Sequence, residues 1–76
     1  MKYEIIRHIS KIKEWNSVSI QFNEVKWYNG EPKYDLRKWE DGEPKKGITL
    51  EREDLETLYI ALGRELGYEQ HDKKET

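Results

Sequence analysis

Apolar residues recur along this chain with two different periods. Between Glu51 and Leu66, the residues Leu55, Leu58, Tyr59, Leu62 and Leu66 fall on one helical stripe, which predicts an amphipathic helix over EREDLETLYIALGREL. Glu51, Glu53 and Asp54 stand in or just before its first turn, where the helix dipole favours negative charge, and Gly67 stands where a carboxyl-terminal cap is expected. Position 51 is not Ser, Thr, Asp or Asn, so the amino cap is expected from Thr49, Asp54 or water. Upstream the period is two. Val18, Ile20 and Phe22 alternate with Ser19 and Gln21, and then Val25 and Trp27 alternate in the opposite phase. The phase change predicts either one long strand with a bulge or two strands meeting at a bend. Asn29 and Gly30 mark a hairpin turn, because that pair readily takes positive φ. Strands at Lys33 to Trp39 and Lys45 to Leu50 follow, joined by the polar turn EDGEP. The first segment reads both ways: Ile5, Ile6, Ile9 and Ile12 recur at helical spacing and, with Arg7, Lys11 and Lys13, describe a basic amphipathic helix, whereas four isoleucines favour a strand by propensity.

Composition narrows the class. A chain of 76 residues is one small domain, and with 34% hydrophobic residues its own core is thin, so a partner or a second copy of the chain is expected. Charged residues make up 39%, which leans toward disorder, but nine aromatics are more than a solvated low-complexity chain carries; the reading is an ordered domain with a charged surface. There is no repeat and no linker. The domain is expected over 1–67, with GYEQHDKKET ending in a flexible tail over 68–76. The absence of cysteine excludes disulfides, thiolate catalysis and cysteine-ligated zinc, and fits a cytoplasmic protein. The charge-broken amino terminus MKYEIIRHISKIKEW offers neither a signal peptide nor a membrane span.

Net charge is −2, which argues against a nucleic-acid partner until its distribution is counted. Residues 1–47 hold 10 Lys/Arg against 8 Asp/Glu, whereas residues 48–76 hold 4 against 8, so a basic face on an acidic protein is permitted. Signals for an enzyme are poor: there is no phosphate loop, nucleophile elbow or HExxH, and His8 and His71 are 63 positions apart. No catalytic residue, metal site, cofactor or small-molecule substrate is expected. His71 beside Asp72 reads as a solvated pair in the tail.

The stronger signal is cations and aromatics interleaved in strands, since single-stranded nucleic acid presents both a charged backbone and open base faces. Lys26, Trp27, Tyr28, Lys33, Arg37, Trp39, Lys45 and Lys46 supply both kinds of group. Against this, Trp27 and Tyr34 also suit a core, and a lysine-rich strand also suits a guarded edge. On the residues alone the two readings balance.

KYDLRKW, a short polar loop, and then KKGITL running into an acidic helix resemble the single-stranded DNA-binding domain of the positive cofactor four family of transcriptional coactivators, most of all its short bacterial YdbC-like branch. The resemblance covers about residues 3–66 and rests on the order and spacing of Asp35, Leu36, Arg37 and Trp39 with the segment Lys45 to Leu50. It implies an α+β fold, ββββα, with a four-stranded curved antiparallel sheet and one carboxyl-terminal helix, and so a strand for the isoleucine-rich start. It also implies a homodimer that binds single strands. By position, Trp39 would stack on a base, Arg37, Lys45 and Lys46 would hold phosphates, and Trp27 or Tyr28 would fill the aromatic place before the turn. Asp35 would orient a neighbouring cation. The serine- and lysine-rich extension of the eukaryotic members is not found in this sequence, so the resemblance implies the binding domain and not a regulated coactivator.

The expectation is therefore a single-stranded DNA-binding homodimer of little sequence preference, acting in transcription, replication or repair. Leu55, Leu58, Tyr59, Leu62 and Leu66 are expected in the dimer interface, because their stripe is wider than a minimal seam. Four neutralised phosphates per subunit would give a log-log salt slope near −3, at about −0.7 per phosphate. The alternatives are a protein interaction module that uses the acidic helix, or a binder of single-stranded RNA.

Overall fold

The computed structural model describes residues 2–68. Four strands, β1 (Tyr3–Trp15), β2 (Val18–Trp27), β3 (Lys33–Glu40) and β4 (Glu43–Leu50), are followed by one helix, α1 (Arg52–Leu66). The strands form an antiparallel meander in the order β1-β2-β3-β4. The ββββα architecture implied by the resemblance is therefore present. The tail, Tyr68 apart, lies outside the described residues, as does His71.

Turn chemistry explains where the strands end. Asp41 and Gly42 both have positive φ, 54° and 80°, the backbone of a two-residue hairpin turn whose twist suits the flanking strands. The β3–β4 connection is thus tighter than the loop EDGEP suggested, and β3 and β4 run on to Glu40 and back from Glu43. Between β2 and β3 the positive φ falls on Tyr28, at 54°, rather than on Asn29 or Gly30, while the Gly30 N–H donates to the Trp27 carbonyl at 2.9 Å. The turn lies where expected but is built from a different residue.

The phase change within β2 is not a bulge. β2 pairs with β3 without a shift from Val18–Glu40 to Val25–Lys33. Val18, Ile20 and Phe22 lie on one face, with Ser19, Gln21, Asn23, Val25 and Trp27 on the other, so the apolar residues change face along a regular strand. The bulges lie in β1. Ile5 opposes Val25 and Arg7 opposes Glu24; His8 opposes Asn23 and Ser10 opposes Phe22; Lys11 opposes Gln21 and Lys13 opposes Ile20. At each shift one residue lacks a counterpart: Ile6, Ile9 and Ile12. Three residues of β1 advance two of β2, which is why isoleucines at helical spacing fit a strand of 13 residues paired with one of 10.

Each such bulge bends the strand and adds twist, and the sheet curls accordingly. Tyr3 pairs with Trp27 at one end of β2, and Trp39 pairs with Ser19 at the other end. The eight residue steps from Ser19 to Trp27 span about 26 Å of extended strand. Even so, the Tyr3 and Trp39 ring centroids are 5.7 Å apart. The face carrying Trp27, Asp35, Arg37 and Trp39 is therefore concave, and its interior holds Val25, Asn23, Asp35 and Trp39, all buried.

On the opposite face Phe22 stacks on Tyr34 at 6.1 Å, and α1 leaves the sheet beside β4. The Asp54 carboxylate accepts from the Glu51 N–H at 2.8 Å, so the amino cap is completed by one of the expected groups. Gly67 closes the other end in the left-handed conformation, with its N–H on the Arg64 carbonyl and the Tyr68 N–H on that of Gly63. None of the fifteen helical residues is buried.

Candidate nucleic-acid interface

The centre of the concave face is a carboxylate. Asp35 is fully buried and accepts three hydrogen bonds: from Arg37 Nε at 2.7 Å, from a terminal Arg37 nitrogen at 2.8 Å, and from Trp27 Nε1 at 3.2 Å. A desolvated carboxylate is tolerable only with such partners, and the two-pronged arginine contact is the strongest of them. Arg37 also donates to the Lys45 carbonyl at 2.7 Å and lies 4.6 Å from the centre of the Trp27 ring. Asp35 thus orients its neighbouring cation, as expected, and fixes the indole as well. Three of the five N–H donors of Arg37 are engaged within the protein, and its charge is matched.

This arrangement requires Gly47. Gly47 opposes Arg37, and a Cβ there would lie 1.9 Å from the Arg37 Cβ and 2.6 Å from the Leu36 carbonyl oxygen. Only glycine lets the arginine fold back across β4, which gives the basic pair and glycine of KKGITL a structural reason. Beside it, Arg37 opposes Gly47 and Trp39 opposes Pro44, so Lys45 and Lys46 together face Lys38 in a bulge. Both lysines are exposed there.

A second chain of hydrogen bonds runs along β2. Gln21 Nε2 donates to Ser19 Oγ at 2.9 Å, and Asn23 Nδ2 donates to Gln21 Oε1 at 3.4 Å, which turns the Asn23 oxygen toward His8 Nδ1, 2.6 Å away. Nδ1 is therefore the donor nitrogen of His8. In register, His8, Asn23, Asp35 and Thr49 form one polar row across all four strands.

The predicted residues divide. Trp27, Arg37 and the Lys45 backbone meet around Asp35, Lys46 stands next to them, and Tyr28 is 65% exposed immediately after Trp27. Trp39 contradicts its expected role as an open platform: it is 5% exposed, covered in part by the ring of Tyr3, because the curl of the sheet turns this position into core. Lys26 alternates with Trp27 and so belongs to the opposite face. Lys33 is engaged by Glu51 at 2.6 Å, a hydrogen bond and charge that hold its pKa above the ordinary lysine value. Tyr3 was not anticipated. Its only sequence signal is its place at the start of the first strand, and its ring lies 5.4 Å from Trp27.

The helix stripe is open. Leu55 is half-buried, Leu58, Tyr59, Leu62 and Leu66 are exposed, and Tyr59 reaches 77%. Leu55, Leu58, Tyr59 and Leu62 line a groove of about 360 Å³ together with Ile12, Phe22, Leu36 and Leu50 from the sheet. Among the described residues no cluster of three metal-ligating side chains occurs, and no helix is long and apolar enough to cross a membrane. No protein-family model and no curated protein sequence matches the chain.

Proposed function

We propose that this protein is a cytoplasmic homodimer that binds single-stranded DNA without strong sequence preference. One observation carries the reading: Trp27, held by Asp35 and overlaid by Arg37, lies beside the bulge that exposes Lys45 and Lys46. An aromatic face fixed next to cations matches what a single strand offers, stackable bases on a charged backbone. The resemblance of KYDLRKW and KKGITL to the positive cofactor four family supports the same assignment and favours DNA over RNA.

The geometry changes the expected electrostatics. Asp35 compensates Arg37 and Glu51 compensates Lys33, which leaves Lys45 and Lys46 as the main phosphate ligands. Two phosphates per subunit give a log-log salt slope near −1.4 instead of −3. Tryptophan fluorescence titrated with oligothymidine at several salt concentrations tests this. Quenching at low salt, weaker binding of a duplex and the shallow slope are expected. No quenching, or equal affinity for duplex, refutes the reading.

The dimer rests on the helix. A 15-residue helix alone is marginal in water, yet α1 buries none of its residues against its own sheet. The radius of gyration is 15.0 Å, against about 11 Å for a compact domain of this length. A second copy supplies an identical apolar stripe, and a two-fold axis brings each helix onto the other's groove. Light scattering at twice 9.2 kDa is the expected result.

A further inference from the structure

Tyr3 is the first residue of β1, and its ring touches two indoles. It lies 5.4 Å from Trp27 at an interplanar angle of 43°, and 5.7 Å from Trp39 at 65°. The two tryptophans differ in one respect. Trp27 Nε1 donates to Asp35, whereas the buried Nε1–H of Trp39 has no acceptor among the described residues. A buried N–H in a folded protein nearly always has one.

The anchorage of Tyr3 is slight. It belongs to an outer strand, so among the described residues β2 alone pairs with its backbone, and beyond the pair with Trp27 the Tyr28 N–H donates to the Lys2 carbonyl at 3.0 Å. Strand ends of this kind open at low cost. Tyr3 as a whole is 36% exposed.

We propose that the place occupied by the Tyr3 ring is a slot for one pyrimidine base, and that Tyr3 is its displaceable occupant. This rests on the single-strand reading above and says where a base goes. The phenol is a six-membered ring between two indoles, so a pyrimidine fits the space it vacates and keeps the contact with Trp27. A ring carbonyl of that base then supplies the acceptor that Trp39 Nε1–H lacks among the described residues. The backbone phosphate of the same nucleotide meets the cations of the β4 bulge. Tyr3 keeps the slot closed and the indoles covered until a strand arrives.

The test is a titration of ¹⁵N-labelled protein with oligothymidine, following the three indole N–H signals, with Trp39→Phe used to assign the one that matters. On binding, the Trp39 signal is expected to move downfield by more than those of Trp15 and Trp27. Tyr3→Leu, which removes the aromatic contacts but not the apolar cover, is expected to bind tighter, by about 2- to 10-fold for each of the two aromatic pairs that displacement gives up. If fluorescence and the other resonances report binding while the Trp39 indole signal stays fixed, the slot is wrong and the single-strand reading stands. Weaker binding by a folded Tyr3→Leu makes Tyr3 a contact of the strand and overturns its displacement. Should Tyr3→Leu fail to fold, the Trp39 shift in the parent protein decides alone. Absence of binding by any signal refutes the single-strand reading, and the slot with it.

Discussion

On the concave face of the sheet side chains answer one another, Asp35 with Arg37 and Trp27, and Asn23 with His8 and Gln21. On the opposite face the leucines of β3, β4 and α1 line a groove that the described residues leave open. The two faces solve the problem of a short, apolar-poor sequence in different ways. Polar side chains hydrogen-bonded to one another, closed over by three aromatic rings, take the place of a hydrophobic core where the sheet curls inward. The scarce leucines and isoleucines are then concentrated on the outer face, where a partner can use them. The closed face has fixed geometry, which suits recognition; the open one has exposed apolar area, which suits association.

Substitutions separate the two faces. Trp39→Ala has the largest expected effect, because it empties the closed face: a loss of about 3 to 5 kcal/mol in stability by chemical denaturation, before any effect on binding is read. A loss below about 1 kcal/mol would mean that this face is not a core. Gly47→Val comes next. Its side chain collides with Arg37 and with the β3 backbone, and the expected destabilisation is about 3 kcal/mol, the upper part of the overpacking range. Leu62→Asp probes the open face, and light scattering is expected to show the monomer mass of 9.2 kDa against an expected twice that for the parent; an unchanged parent-like mass would place association elsewhere. Because folding and association are linked in small dimers, circular dichroism must accompany that measurement. Lys46→Ala leaves both faces folded and is expected only to halve the salt slope, from about −1.4 to about −0.7. Smallest is the effect of Lys33. Glu51 raises its pKa, so the pair contributes below the ordinary lysine value and is lost as pH rises through the raised one, above about 10.5. Lys33→Gln is accordingly expected to leave the neutral-pH denaturation midpoint unchanged, as exposed ion pairs usually do.

What could be read from the sequence depended on whether a feature is local. The stripe from Leu55 to Leu66, the Gly67 cap and the alternation in β2 depend on near neighbours, and each is present in the fold. Asp35 was legible as an orienting residue because Arg37 is two positions away on the same strand face. The isoleucines of β1 were ambiguous for a definite reason: a bulge every third residue imitates the period of a helix. Trp39 was misread as an open platform because part of its cover is Tyr3, which the curl of the whole sheet brings close. Lys33 likewise meets a partner that its neighbourhood in the sequence does not show, a carboxylate 18 positions later.

Those bulges also bear on how copies of the protein can stack. An open sheet has two outer strands, here β1 and β4, and an isoleucine-rich outer strand of 13 residues is a natural template for cross-β growth. Growth of that kind needs an even row of N–H and C=O groups. In β1 the row is broken at Ile6, Ile9 and Ile12; in β4 it is broken by the Lys45–Lys46 bulge and by Pro44, which has no N–H. Neither rim offers a straight edge to a fibril, so a chain that is sticky across one face is protected along both sides.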